Sequence, residues 1–133
     1  MMGRQGQGDG VDNPVARAGL LAASDRYEAA LLANDTATLD ALFWHDARVM
    51  RIAAKDELRG IDRIRAFRAN RSLNELAREY LSRDVVSFSD DAGVVNIVFR
   101  RQLDGQIGRQ SQTWVRLAGE WRIVSAHISF RSP

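Results

Sequence analysis

The second half of the chain alternates. Residues 78–88, 92–103, 107–117 and 121–130 read as long strands, where the helical period of 3.6 gives way to a period of two. The breaks between them are Asp90-Asp91, Asp104-Gly105 and Ala118-Gly119-Glu120. Asp-Gly between two alternating runs signals a hairpin, because the turn requires positive φ. Strands joined by hairpins pair with their sequence neighbours, so this half is constrained to an antiparallel meander. Its apolar face must then be covered by something else.

The first half supplies the cover. Asn13-Pro14 reads as an N-cap followed by proline at the first helical position, and a helical pattern runs from there to Ala33. Leu20, Tyr27 and Leu31 share one face with Ala23, Ser24 and Ala30. Asn34-Asp35 interrupts the pattern, and Thr36 to Phe43 forms a shorter helix that turns Leu39, Leu42 and Phe43 inward. A short strand is expected at 48–52, and a third helix follows Gly60 with Ile61, Ile64 and Phe67 on one side. Helices first and strands after predict an α+β fold: a curved antiparallel sheet with three N-terminal helices over one face and a pocket at the open end. Residues 1–13, rich in glycine, are expected to be a disordered tail, and 14–133 a single domain. The uncovered outer face of the sheet predicts a homodimer, back to back.

Composition excludes several classes of function. There is no cysteine, so disulfides, thiolate nucleophiles and zinc–thiolate sites are ruled out. No apolar run approaches the ~20 residues that span a bilayer, and no signal segment follows the N-terminus, so a soluble cytoplasmic protein with no membrane partner is expected. A net charge of +2 is too small to argue for nucleic acid. The basic residues are nonetheless unusual in kind: 18 of 19 are arginine, and Lys55 is the only lysine. An arginine-favouring genome accounts for this; so would a need for planar, permanently charged groups that grip carboxylates. Positions must decide.

One strand breaks the pattern of a plain core. Arg109, Gln110, Ser111 and Gln112 run directly before Trp114. Alternation puts Gln110, Gln112 and Trp114 on one face and Arg109, Ser111, Thr113 and Val115 on the other. The polar residues mark either a pocket or a dimer face.

Three separated stretches carry a family resemblance: RYEAALLANDTATLDALFWHDARVMR, GIDRIRAFRANR and GRQSQTWVRLAGEWRIVSAHIS. The first resembles the opening helices of the nuclear transport factor 2-like, or cystatin-like, superfamily of cone-shaped domains, and the order of elements matches to Phe130. Together the three are similar to the small AtzH-like or HpxZ-like proteins associated with oxalurate and cyanuric acid catabolism. One member of that group decarboxylates dicarboxyurea to allophanate. The resemblance implies that Tyr27 corresponds to the tyrosine that lines the oxyanion hole in the ketosteroid isomerases of this superfamily. Counting without gaps from Phe43, the isomerase's carboxylate base falls on Arg51, and an arginine cannot abstract a proton at neutral pH. That isomerisation is not expected. A cation in place of an anion favours an anionic substrate. Superfamily analogy also turns Gln110 and Gln112 inward, where amides suit a urea group.

Each remaining candidate has two readings. Tyr27 is a core tyrosine bonded to a strand carbonyl, or a pocket acid. Arg51 shares its strand face with Val49 and reads as a buried cation needing an acid or an anionic ligand. Arg68 and Arg71 lie on adjacent turns and read as a solvated basic face, with Arg71 alternatively reaching the cone mouth. Trp44 closes the core or walls the pocket. His127 is a strand-bonded histidine or a catalytic acid, its direction depending on a bulge near the last turn. His45 and His127 lack an obvious third ligand, so neither a metal nor another cofactor is expected. The expected function is decarboxylation or hydrolysis of an N-carboxylated urea: Arg51 and Arg71 hold a carboxylate, Gln110 and Gln112 orient the urea, and Tyr27 or His127 supplies the proton. The alternative is a non-catalytic domain of the same fold that binds small acids or assembles.

Overall fold

The computed structural model describes residues 10–132. Helix α1 (Pro14–Leu32) is followed by α2 (Thr36–Leu42), the short strands β1 (Met50–Ile52) and β2 (Glu57–Arg59), and α3 (Ile61–Ala69). A 3₁₀ turn (Leu73–Glu75) leads into the long strands β3 (Arg78–Ser89), β4 (Ala92–Arg101), β5 (Ile107–Leu117) and β6 (Glu120–Arg131). The expected α+β architecture is present: three helices on one face of a curved, open sheet of six strands. Among the described residues no helix is long and apolar enough to cross a membrane.

Local chemistry sets the element boundaries. The Asn13 side chain accepts from the N–H groups of Val15 and Ala16 at 3.0 and 3.2 Å, satisfying two of the free donors at the start of α1. Asp35 caps α2 in the same way through the Thr38 N–H at 3.1 Å. At the β5–β6 turn Ala118 and Gly119 both take positive φ, 50° and 81°, as a two-residue hairpin requires. Of the expected tail, residues 1–9 lie outside the described residues. Residues 10–13 are ordered: the Asp12 N–H donates to the Ser87 carbonyl at 2.7 Å, and its carboxylate accepts from the Ser87 N–H at 3.1 Å. This pairing with β3 ties the entry to α1 onto the sheet.

The sheet runs β2-β1-β6-β5-β4-β3. The meander β3 to β6 is antiparallel as expected, but β1 joins it parallel to β6, and β2 was not anticipated. Strands of three residues are too short to show a period, and Arg48, expected in β1, is held in a turn by Asp46 at 2.8 Å. The inner face packs Val95, Ile97, Trp114 and Ile123 against Leu20, Leu31, Leu39, Leu42 and Phe43, all essentially without solvent exposure. One irregularity matters for function. Thr113 pairs with Ser125 but Trp114 pairs with Ile123, so Val124 is an extra residue and the strand changes faces there.

Gly93 lets α1 dock closely. A Cβ at this position would overlap the Leu20 side chain and come within 2.7 Å of the Val86 carbonyl oxygen. Since the backbone cannot withdraw cheaply, Gly93→Ala is expected to destabilise the fold by ~1–3 kcal/mol, read as a lower urea midpoint at unchanged m-value. A midpoint equal to wild type would mean that α1 does not lie so near β4.

Candidate functional site

The open end of the cone holds a cavity of about 570 Å³. Its lining comes from every layer: Tyr27 from α1, Arg51 from β1, Arg71 just beyond α3, Arg78 from β3, and Gln110 and Gln112 from β5. Tyr27 is on the buried stripe of α1, 6% exposed, its ring tilted against Phe43 at 6.2 Å. The hydroxyl faces the cavity with no hydrogen-bond partner among the described residues. The phenol oxygen is thus open to a molecule in the cavity, while its ring is held in the core.

Two arginines at the cavity carry buried donors without partners among the described residues. Arg51 pairs with Ala126 across β1 and β6, which puts its side chain on the inner face. Asp56 is its ion-pair partner at 3.9 Å, and the buried Nη1 has no hydrogen-bond partner among the described residues. The guanidinium lies 4.4 Å from the centre of the Phe67 ring, which Arg71 approaches to 5.6 Å from its own position. Arg71 leaves Nε and Nη2 buried and unbonded, and no carboxylate among the described residues comes within ion-pair distance of it. Burial, reinforced by the charges of Arg68, Arg51 and Arg78, pushes the Arg71 guanidinium down to about 10. Burial likewise pushes Arg51 down, against the favourable influence of Tyr27 and Asp56. Desolvated cations with unfilled donors are the signature of a place for an anion.

The two glutamines face inward, with Gln110 5% and Gln112 1% exposed, while Arg109, Ser111 and Thr113 lie on the outer face. Gln112 accepts the Trp114 indole N–H at 3.2 Å, which leaves its amide N–H groups for the cavity. Gln110 donates to Glu28 at 3.1 Å and accepts from Arg78 at 3.3 Å.

Other sequence candidates are placed elsewhere. His127 borders the cavity along β6, but its partners in register are Ser111 and Ile52, and its side chain is exposed on the outer face. The extra residue at Val124 is the cause: Ala126, Ile128 and Phe130 take the inner positions and His127 turns out. Trp44 does not line the cavity. It closes the core instead, half-buried against the apolar cluster, with the Arg48 guanidinium over its ring at 4.8 Å. Arg68 is no solvated residue; it is 3% exposed, paired with Asp40 at 3.2 Å and set over the Phe43 ring at 5.1 Å. His45 is exposed and bonds the Asp40 carbonyl at 2.9 Å. Among the described residues no three His, Asp or Glu side chains converge to hold a metal ion.

Sequence reasoning missed Glu28, Phe67, Arg78 and Tyr80. Glu28 was within reach of it: four residues beyond Ser24 and three before Leu31, it falls on the same buried stripe as Tyr27. Arg78 and Tyr80 alternate onto the inner face near the start of β3, but a register shift after Tyr80 hides the phase.

A cone of three helices over a curved sheet, with a polar cavity at its mouth, defines a nuclear transport factor 2-like domain. The family model for AtzH-like proteins matches residues 9–133. The chain belongs to the AtzH-like family. A protein of unknown function from the DUF3225 family of Pectobacterium atrosepticum SCRI1043 is 43% identical, with TM-score 0.89 over 93% of this chain and 97% of that one. A cystatin-like fold protein from Burkholderia xenovorans LB400 is 34% identical, with TM-score 0.87 over 92% and 97%. A nuclear transport factor 2-like superfamily protein from Salmonella enterica serovar Typhimurium LT2 shares the fold at 20% identity, with TM-score 0.69 over 90% and 93%. Comparison with the curated proteins found no match.

Proposed function

We propose that the cavity binds a small ureido or carboxylate anion and removes carbon dioxide from an N-carboxylated urea, without a cofactor. The observation that carries this reading is the pair of buried, incompletely bonded guanidinium groups of Arg51 and Arg71 beside the free hydroxyl of Tyr27. In the step, the bond between nitrogen and the carboxylate carbon breaks and its electron pair stays on nitrogen. Carbon dioxide departs, and the nitrogen takes the Tyr27 proton. The resulting phenolate faces Arg51 and Arg71, both of which are favoured by charge on that oxygen, and solvent restores the proton. The free amide N–H groups of Gln112 orient the urea carbonyl. His127, with its imidazole on the outer face, takes no part.

The test is carbon dioxide release from freshly generated dicarboxyurea and from other ureido acids, with ligand-induced stabilisation measured alongside. Turnover is the expected result. Stabilisation without turnover would favour a binding module of the same fold, and neither response would remove the anion site.

The outer sheet face supports pairing of two chains. Half-buried Val94, Val98 and Val115 alternate there with Asn96, Ser111 and Thr113, and no helix among the described residues covers them. Light scattering is expected to give twice the 14.9 kDa chain mass, and a strict monomer at micromolar concentration would refute the pairing.

A further inference from the structure

Behind Gln110 of the cavity lining lies a buried carboxylate that the step above does not use. Glu28 is 7% exposed. It accepts the Tyr80 hydroxyl at 2.5 Å on one oxygen and the Gln110 amide at 3.1 Å on the other. A carboxylate can only accept, so it dictates which end of the Gln110 amide faces it. The amide nitrogen turns to Glu28, and the carbonyl oxygen turns to Arg78 Nη1 at 3.3 Å. A neutral amide at position 28 would impose no such direction.

Arg78 is the end of this relay. Its guanidinium lies over the Phe99 ring at 4.0 Å, with no carboxylate among the described residues at ion-pair distance. The neighbouring Arg101 differs, being paired with Asp104 at 2.7 Å and Glu75 at 3.7 Å. Phe99 itself is seated over Gly108, where a Cβ would overlap the ring. Arg78 is therefore clamped by an aromatic face on one side and an oriented amide on the other, with charge left over for the cavity.

We propose that Glu28 is a positioning residue that acts through Gln110 to hold Arg78 as the receptor for a second carboxylate, making the cavity selective for dianions over monoanions. The proposal rests on the reading of the cavity as an anion site. Titration calorimetry on the full-length protein tests it with two probes sharing a ureido head, the dianion N-carbamoylaspartate and the monoanion N-carbamoylglycine. Wild type is expected to bind the dianion at least ~10-fold tighter, equivalent to ~1.4 kcal/mol. Glu28→Gln and Arg78→Gln should each bring the two affinities within about threefold by weakening the dianion alone, and the double variant should lose nothing further. A merely structural Glu28 would instead lower the melting temperature and weaken both probes equally. That outcome overturns the proposal, as does unchanged selectivity in Glu28→Gln or full additivity in the double variant. If Glu28→Gln does not fold, Gln110→Met severs the same relay with Glu28 in place; retained selectivity there overturns the proposal equally. Wild type binding neither probe would refute the anion site itself, whereas a selective wild type indifferent to Glu28 would refute only the relay.

Discussion

Tyr27→Phe is expected to lower turnover of an N-carboxylated urea by ~10²–10⁴-fold, the range lost with a positioned acid. The substitution removes one oxygen and almost no volume, and the ring keeps its tilted contact with Phe43. Because the hydroxyl has no hydrogen-bond partner among the described residues, no hydrogen bond is lost and folding stability should be unchanged or slightly raised. That combination separates the two readings of the residue. A tyrosine bonded into the core would show a stability loss of ~1 kcal/mol with turnover intact. Circular dichroism melts and carbon dioxide release should be measured on one preparation. Near-normal turnover by the Phe variant would take Tyr27 out of the chemistry, and the orientation of His127 offers no replacement acid on the inner face.

Arg51→Met should have effects of opposite sign on stability and binding. The guanidinium is buried beside Phe67, its ion-pair partner Asp56 3.9 Å away and one donor unbonded among the described residues, so the empty protein carries an incompletely compensated charge. Methionine fills similar space without that charge, and the unliganded domain should be as stable or more stable, since apolar replacement of buried ions is often neutral or favourable. Anion binding should fall by ~2–5 kcal/mol, the usual cost of cutting a buried charge pair. In a thermal melt, wild type at ~100 times the dissociation constant of a ureido acid gains ~2.7 kcal/mol by mass action, and the variant should gain almost none. Undiminished ligand stabilisation in Arg51→Met would show that Arg51 does not hold the carboxylate. A large loss of stability without ligand would show that the arginine is structural.

Much of the cone was legible because its signals are local. Period two marked the four long strands, Asn13 and Asp35 marked two helix starts, and Gly119 marked a hairpin. The stripe of Leu20, Tyr27 and Leu31 put the key phenol inside. Alternation through Trp114 grouped Gln110 and Gln112 on one face, and family resemblance picked that face as the inner one. The site was less legible. Arg68 and Arg71 looked alike on one helix face, yet one closes an ion pair with Asp40 and the other stands unpaired at the cavity. Trp44, read either as closing the core or as walling the pocket, packs against the core and not the cavity.

What the sequence determined by itself is the three helices, the four long strands and the identity of most inward faces, since each follows from residues within a turn or two of one another. What only the tertiary structure decided is which charges are left without partners, and where the faces change. His127 turns outward because β5 and β6 fall out of step at Val124, a register choice made between strands. Arg51, Arg71 and Arg78 come from three separate segments of the chain, and Glu28 meets Gln110 from 82 residues away. Their burial, and so their demand for an anion, arises only when helices and sheet close on each other and remove the water that would have solvated each charge alone.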